Sequence, residues 1–142
     1  MVRYEETAID IRPQQLKGFF DGWPTRPSPE THLALLRGSG VIVLAIDSQT
    51  DAVVGFVTAI SDRVLSAYIP LLEVLPSYRN QRIGSELVAR LLARLGDIYM
   101  VDVVCDAEIL PFYERLGFRA GASAMIRRRL RQGGGSLRTS AA

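Results

Sequence analysis

Apolar residues recur along this chain with two different periods, and these periods predict a mixture of strands and helices. A nearly unbroken apolar run at residues 41–47 is typical of a buried strand. Residues 52–62 follow after a short polar turn, at hairpin spacing, whereas Leu87, Leu91 and Leu95 are spaced as on one face of a helix. The pattern predicts strands at 2–10, 41–47, 52–62, 64–74 and 98–105, helices at 12–24, 28–40, 85–96 and 108–117, and a final strand pair or hairpin within 118–130.

The order of these elements predicts the fold class. An antiparallel run of strands is followed by a strand–helix–strand crossover, which favours one mixed sheet with helices on its faces. We therefore expect a layered α/β (α+β) fold with a mostly antiparallel sheet of six to seven strands and about four flanking helices. Pro70 lies inside a predicted strand and indicates a bulge or an edge there.

Length and charge set the domain organisation. The 142 residues suit one domain, which we place at residues 1–130. Residues 131–142 are rich in Gly and Ser and contain no aromatic residue, so we expect a disordered tail. The net charge of +2 comes largely from the arginines of residues 127–138. A nucleic-acid partner is therefore disfavoured for the body of the chain, although the arginines could bind phosphate weakly.

The chain has one cysteine, Cys105, and one histidine, His32. A lone thiol forms no intramolecular disulfide and fits a reducing cytoplasm, which is the location we expect. We interpret Cys105 as a structural residue and His32 as a surface or capping residue, and we expect no metal site. The chain has neither a signal-peptide pattern nor an apolar run of about 18–20 residues, so export and membrane association are disfavoured.

The segment LPSYRNQRIGSEL (residues 75–87) holds the strongest chemical signal. It places arginines and a glycine where a strand turns into an amphipathic helix. The amides at a helix N-terminus are unpaired and point at one spot, where the helix dipole favours an anion. Gly84 lets an oxygen approach the backbone closely, and Arg79 and Arg82 can add charge-assisted hydrogen bonds. The segment therefore predicts a site for a pyrophosphate-bearing ligand, although a plain strand-to-helix turn remains an alternative.

Two motifs at the right order and spacing resemble the GNAT superfamily of acetyl-CoA-dependent N-acetyltransferases. VLPSYRNQRIGS resembles the family's Arg/Gln-x-x-Gly-x-Gly/Ala signature after a strand end. In it, Arg82 stands where the first glycine is usual and Gly84 holds the second glycine position. FYERLGF (residues 112–118) matches the family's later aromatic–Tyr–acidic–basic–Leu–Gly–Phe run. The resemblance covers roughly residues 41–118.

The resemblance implies a GNAT-like sheet that splays between the strands at 64–74 and 98–105. In the gap, the pantetheine arm of acetyl-CoA would pair with backbone groups of Glu73, Val74 and Leu75, and its pyrophosphate would meet the amides of residues 82–85. Asp106 stands where many members have an asparagine that meets the pantetheine arm. The residues expected to bind the coenzyme are Val74, Leu75, Arg79, Asn80, Gln81, Arg82, Ile83, Gly84, Ser85, Asp106 and Phe112.

Acetyl transfer to an amine needs a neutral amine, a stabilised oxyanion and a proton for the departing thiolate. The backbone N–H of Val74 or Leu75 could stabilise the oxyanion. Because the family places a tyrosine beside the coenzyme sulfur at this motif position, Tyr113 is the candidate general acid; a core tyrosine is the alternative. Glu73 is a weaker candidate for the general base, with Tyr68 or a water relay as alternatives.

We expect the N-terminal helices and their loop to build the acceptor pocket, and in the segment FFDGWP (residues 19–24) aromatic rings and Asp21 could hold an ammonium group. For Phe19 and Phe20, ordinary core packing is the favoured interpretation. The predicted function is transfer of the acetyl group of acetyl-CoA to a primary amine of a small molecule or peptide, by direct attack in a ternary complex. A catalytically inactive acetyl-CoA sensor is the alternative function. If a homodimer forms, we expect it to use the last strand.

Overall fold

The computed structural model describes residues 1–135, which form one sheet with helices on both faces. The strands are β1 (Val2–Glu5), β2 (Val41–Asp47), β3 (Val53–Ser61), β4 (Ser66–Val74) and β5 (Met100–Val103). The helices are α1 (Pro29–Gly38), α2 (Ile83–Leu95) and α3 (Leu110–Arg115). Short 3₁₀ turns occur at Pro13–Gln15, Pro76–Tyr78, Ala107–Ile109 and Arg129–Arg131.

The sheet is mixed, as predicted. Its strands run in chain order from β1 to β5, antiparallel through β4, and β5 pairs with β4 in parallel. The parallel pair is connected by α2, which is the crossover that the sequence predicts. The α/β class and the single mixed sheet are therefore confirmed.

Both faces of the central strands are buried, which explains the continuous apolar run of β2. Val43 and Ala45 pack on the α2 face, whereas Ile42, Leu44 and Ile46 pack on the α1 face. A strand covered on both sides has no polar face, so no polar residue interrupts it until Asp47. On the α2 face, Leu87, Val88 and Leu91 complete the core.

The predicted number of elements was too high. Residues 1–135 form five strands rather than six to seven, and three α-helices rather than about four. The predicted helix at residues 12–24 is only the turn Pro13–Gln15, because Gly18, Phe20 and Gly22 have positive φ and an α-helix needs negative φ. The predicted strand pair at 118–130 is also absent, since residues 118–128 form neither helix nor strand.

Part of the predicted tail lies outside the described residues, namely 136–142. In the part that is described, the side chain of Gln132 accepts a hydrogen bond from the amide of Thr25 (3.3 Å). Among the helices of residues 1–135, none combines the length and apolar character needed to cross a bilayer.

Gly55 of β3 lets α2 lie close to the sheet. A Cβ atom at Gly55 would come within 3.1 Å of the Leu87 side chain and 3.4 Å of the Glu73 carbonyl oxygen. We therefore expect Gly55→Ala to lower the free energy of unfolding by about 1–3 kcal/mol through overpacking. Chemical denaturation measures this change.

Gly38 offers the matched control, because a Cβ atom there meets nothing within 4 Å. At this helical position, Gly38→Ala should raise the free energy of unfolding by up to about 1 kcal/mol. Equal effects of the two substitutions would contradict the close approach of α2 at Gly55.

Candidate active site

The site begins where β4 and β5 separate. The two strands are paired only from Ser66 to Ile69 on β4, and β4 continues to Val74 beyond the last pair, Ile69 with Val103. Pro70 is the next residue of β4 and has no N–H to donate to a neighbouring strand. The splay expected from the resemblance is present, and Pro70 lies at the edge that its position in the sequence indicates.

The backbone of β4 presents alternate residues to the gap. Leu75 donates its N–H to the Val54 carbonyl (2.8 Å), on the β3 side. Because successive residues of a strand point their amides to opposite edges, Val74 and Leu72 direct theirs toward the gap. The Val74 carbonyl accepts a hydrogen bond from Arg79 Nε (2.9 Å).

This geometry changes the backbone contacts expected for the coenzyme. The Leu75 amide is engaged in the sheet and is not free to stabilise an oxyanion. By the same alternation, the backbone of Glu73 faces β3. Of the three residues predicted to pair with pantetheine, only Val74 turns its backbone toward the gap.

The loop before α2 bends through two residues in the left-handed region. Asn80 has φ of 65° and Arg82, the N-cap of α2, has φ of 64° and ψ of 15°. Glu86 is the first residue of the helix whose amide bonds back, to the Arg82 carbonyl (3.1 Å). The amides of residues 83–85 are therefore left free of backbone partners at the helix N-terminus. A glycine at position 82 would adopt this positive φ with less strain than an arginine does.

A cavity of about 610 Å³ fills the gap from β4 and β5 to this helix end. Both predicted catalytic residues, Tyr113 and Glu73, line it. Of the residues predicted to bind the coenzyme, those that line it are Val74, Arg79, Asn80, Arg82, Ile83, Gly84, Ser85 and Phe112. Leu75, Gln81 and Asp106 do not line it. Asp106 is instead exposed, and its carbonyl caps the turn before α3.

Several lining residues were missed by sequence reasoning, among them Pro70, Tyr78, Cys105 and Ile109. The hydroxyl of Tyr78 donates to Asp47 Oδ2 (2.5 Å), which ties the loop to the end of β2. Nothing in the sequence pattern pairs these two distant residues. The one feature of the sequence that pointed to these lining residues was Pro70, which interrupts the predicted strand at 64–74.

Tyr113 is held in place by the rest of its motif. Its ring lies edge-on to Phe112 (5.0 Å between centroids) and Phe118 (5.3 Å). Gly117 has φ of 100°, a conformation that glycine adopts readily and other residues rarely do. This turn lets the Phe118 amide donate a hydrogen bond to the Tyr113 carbonyl (3.1 Å). Burial, with a smaller effect of Cys105, raises the pKa of Tyr113 to about 12. The phenol therefore stays protonated at neutral pH.

Both oxygens of the Glu73 carboxylate accept hydrogen bonds from the N-terminal loop. Oε1 accepts the amide of Phe20 (2.7 Å) and Oε2 accepts the amide of Asp21 (3.1 Å). Phe20 is in the left-handed region with φ of 63°, so these two bonds hold a bent segment against β4. The carboxylate thus positions this loop at the mouth of the gap.

A second cavity, of about 200 Å³, lies on the far side of Glu73 and Arg79. Phe20, Asp21 and Trp23 of the segment FFDGWP line it, and its use as an acceptor pocket stays a prediction. Phe19 is buried in the core rather than lining this cavity. Arg79 lines both cavities and lies 3.8 Å from the Asp21 carboxylate. Leu72, Glu73 and Arg79 line both cavities, so the two cavities adjoin at these residues.

His32 lies beneath this second cavity and not on the surface, so its predicted surface or capping role was wrong. Its ring is fully buried and packs against Phe19, Phe20 and Phe56, the last at 4.4 Å between centroids. Neither ring nitrogen has a hydrogen-bond partner among residues 1–135. Burial lowers the pKa of His32 to about 4, so the ring is neutral at pH 7.

Tyr68 and Cys105 complete the set of earlier candidates. Tyr68 does not line the 610 Å³ cavity, and its role as an alternative base stays a prediction. Burial raises the pKa of the Cys105 thiol, with Asp106 and Glu108 adding to the effect, so the thiol is not activated as a nucleophile. Within residues 1–135, no three His, Cys, Asp or Glu side chains come together as possible metal ligands.

Comparison with known proteins identifies the class. The sequence profile described as the acetyltransferase (GNAT) family matches residues 8–118. A crystal structure of a proposed acetyltransferase from Deinococcus radiodurans R1 is 45% identical, with a TM-score of 0.93, and the match covers 96% of this chain and 94% of that one. The chain belongs to the GNAT family of acetyltransferases.

Other relatives support the same family. SP0256, a GNAT family acetyltransferase from Streptococcus pneumoniae TIGR4, is 29% identical with a TM-score of 0.72, over 90% of this chain and 99% of that chain. GCN5-related N-acetyltransferase 2, chloroplastic, from Arabidopsis thaliana is 30% identical over 79% of this chain and 51% of its own length. Histone acetyltransferase TAP1 of Glycine max is 30% identical over 70% of this chain and 47% of its own length. The chain thus spans about half the length of the curated relatives that it matches.

The positive φ of Arg82 leads to a stability prediction. Arg82→Gly should be more stable than Arg82→Ala by about 1 kcal/mol, because only glycine adopts the left-handed region without strain. Both substitutions remove the same side chain, so their difference in the free energy of unfolding isolates the backbone.

Arg79 gives the control for this comparison, since its φ of −73° and ψ of 161° are ordinary extended values. At this position, Arg79→Ala should be more stable than Arg79→Gly by about 0.4–1 kcal/mol. If Arg82→Gly were also less stable than Arg82→Ala, the left-handed conformation of Arg82 would be contradicted.

His32 predicts how stability depends on pH. Its pKa is about 4 in the folded chain and about 6.5 in the unfolded chain. As pH falls below about 6.5, the unfolded chain binds a proton first, and about 3 kcal/mol of stability is lost by about pH 4. His32→Leu should lack this part of the decline. Because His32 is the only histidine, denaturation of both proteins from pH 7 to pH 4 isolates its contribution, and parallel pH profiles would contradict its burial.

Proposed function

We propose that this protein transfers the acetyl group of acetyl-CoA to a primary amine, by direct attack in a ternary complex. The observation that carries the proposal is the gap between β4 and β5. It joins a free strand edge, the free amides of a helix N-terminus and the buried Tyr113 phenol in one cavity. Membership of the GNAT family supports the same chemistry.

The lining residues fit an extended thioester with a charged end. Val74 offers its amide along the strand edge, as needed to pair with an amide-bearing arm. The amides of residues 83–85, with Arg82, suit a pyrophosphate. A Cβ atom at Gly84 would lie 3.6–3.9 Å from Phe112 and Val74, at ordinary contact distance, so the glycine leaves this spot open. When bound, acetyl-CoA would supply an activated acetyl group as a thioester.

The Val74 amide is the candidate donor to the carbonyl oxygen that gains negative charge during transfer. It lies on a strand held by β3 on its other side, so it is fixed before the substrate arrives. Donors fixed in this way stabilise developing charge without reorganising. Arg79 binds the carbonyl of the same residue, in the next peptide group along the chain, and so holds the neighbouring backbone of this strand edge.

Tyr113 is the candidate proton donor. Its raised pKa keeps the proton on the phenol oxygen, and the two flanking phenylalanine rings fix the direction of the side chain. A protonated phenol can donate to a departing thiolate as its charge develops.

The amine acceptor is best placed at the second cavity, next to Glu73 and Arg79. Asp21 and the ring of Trp23 line this cavity and suit an ammonium group. The Glu73 carboxylate already accepts two backbone amides. We therefore assign it a positioning role and assign removal of the amine proton to water. The cavity of about 200 Å³ suits a slender amine, such as a lysine side chain or an alkylamine.

Binding is tested first, by titration calorimetry with acetyl-CoA, dephospho-CoA and pantetheine. We expect micromolar affinity for the first two. Pantetheine lacks the pyrophosphate and should bind about 10–100-fold more weakly, because it loses charge-assisted hydrogen bonds at the helix end. Equal affinity for pantetheine would contradict the role of residues 82–85.

Turnover is tested with a panel of amines that includes a lysine peptide and simple alkylamines, by following release of free thiol. Tyr113→Phe should lower kcat by about 10²–10⁴-fold and leave the affinity for acetyl-CoA nearly unchanged. Tyr4→Phe is the matched control, because Tyr4 lies on β1 and is not among the residues that line the cavity. Binding of acetyl-CoA without turnover of any amine would favour the alternative of an inactive sensor.

A further inference from the structure

Two opposite charges meet at the rim of the second cavity without a hydrogen bond between them. Arg79 Nη2 lies 3.8 Å from Asp21 Oδ2, which is too far for a hydrogen bond. Within residues 1–135, the Asp21 carboxylate accepts no hydrogen bond, and the Arg79 guanidinium donates only through Nε, to the Val74 carbonyl. The Nη groups of Arg79 and both Oδ atoms of Asp21 are therefore available to a ligand.

The rim and the floor of this cavity differ in character. The side chains of Arg79 and Asp21 are 46% and 48% exposed, so a ligand in solution can reach them. Phe20 and Phe56, which also line the cavity, are buried, and Leu71 is half-buried. A ligand that fits both parts of the cavity has a charged head and an apolar body.

The volume of the cavity limits the ligand to about the size of one amino acid. The cavity measures about 200 Å³. One residue of a sheet occupies about 160 Å³, from its rise, its spacing to a neighbouring strand and the thickness of a sheet. A single amino acid therefore fits, whereas a second residue joined to it would have to lie outside.

The charged head of a free α-amino acid matches the rim. Its ammonium nitrogen and its carboxylate carbon are bonded to one Cα atom and lie about 2.5 Å apart. The ammonium can contact Asp21 while the carboxylate contacts Arg79 through charge-assisted hydrogen bonds. Glu73, the third charged residue of the cavity, is already bound by two backbone amides. An alkylamine or a lysine side chain also enters this cavity, but it leaves the Nη groups of Arg79 without a partner.

Given the acetyl transfer proposed for this site, we infer that the acceptor is a free α-amino acid with an apolar side chain, whose carboxylate is recognised by Arg79. Because Arg79 also lines the gap between β4 and β5, the amine of this acceptor lies next to the site proposed for the thioester. The apolar side chain then lies on the floor formed by Phe20 and Phe56.

Transfer begins when the ammonium group gives one proton to water. The neutral nitrogen then forms a C–N bond with the carbonyl carbon of the thioester, and the C–S bond breaks. The sulfur takes a proton from Tyr113, and a second proton of the nitrogen returns to the phenolate through water. The products are an N-acetyl amino acid and coenzyme A as the free thiol.

The test compares leucine, methionine and phenylalanine, each with its own amide, which keeps the α-amine and the side chain but has no carboxylate. Release of free thiol at saturating acetyl-CoA gives kcat/KM for each substrate. Arg79→Gln should lower the ratio of kcat/KM between amino acid and amide by about 10-fold, because only the amino acid loses charge-assisted hydrogen bonds. Comparing this ratio between the two proteins cancels the different basicity of the two amines and any effect of the substitution on coenzyme binding.

Arg82→Gln is the matched control, since Arg82 lines the gap between β4 and β5 but not the second cavity. It should leave the ratio of kcat/KM between amino acid and amide unchanged. A lysine peptide and isoamylamine, which is leucine without its carboxylate, should react about 10-fold less efficiently than leucine with the unsubstituted protein.

Two outcomes would overturn this acceptor and leave acetyl transfer standing. One is turnover of the amides, the lysine peptide or isoamylamine with none of the three amino acids reacting. The other is an Arg79→Gln variant that lowers kcat/KM equally for amino acid and amide. If acetyl-CoA binds and no amine of any kind reacts, the acceptor and the proposed function are both overturned.

Discussion

The active site depends on one broken hydrogen-bond ladder. β4 and β5 start as a parallel pair, and Pro70 comes directly after the last paired residue, Ile69. Because proline has no N–H, the ladder cannot simply continue, and the strands part while β3 keeps the other edge of β4 fixed. The edge left open presents the Val74 amide to a cavity. A strand edge that is rigid on one side and open on the other is well suited to bind an extended ligand and to orient one oxygen.

The two walls of the site are stabilised in different ways, and this division fits their tasks. On the side proposed for the coenzyme, the motif around Tyr113 is closed by aromatic packing and one left-handed glycine, Gly117, which holds the proposed proton donor rigidly. On the side proposed for the acceptor, the loop at residues 19–24 has little regular structure and is held by two hydrogen bonds to the Glu73 carboxylate. A loop held at few points can vary in sequence without disturbing the gap between β4 and β5. The proposed acceptor site can therefore change while the proposed coenzyme site stays the same.

Sequence reasoning succeeded where a local pattern fixes the structure. The apolar run of β2 and the helix at α2 follow from the periodicity of apolar residues. It failed where the deciding contact is distant in the chain. Nothing near Glu73 in the sequence shows that its carboxylate accepts amides more than fifty residues away. Residues 118–130 were predicted as a strand pair because their sequence permits strands, but a strand forms only where its backbone pairs with a neighbour, and residues 118–128 pair with no strand among residues 1–135.

Arg82 shows how a departure from a family pattern is absorbed. The usual glycine at this position allows a positive φ, and here an arginine adopts φ of 64° at a cost of about 1 kcal/mol or more. The hydrogen bond from the Glu86 amide to the Arg82 carbonyl begins α2, and the core contacts of Leu87, Val88 and Leu91 hold the helix in place. The bend is therefore fixed by the packing of α2 and not by the preference of the residue at the bend. What the substitution adds is a cation next to the free amides, which would strengthen the attraction for the proposed pyrophosphate where the helix dipole already favours an anion.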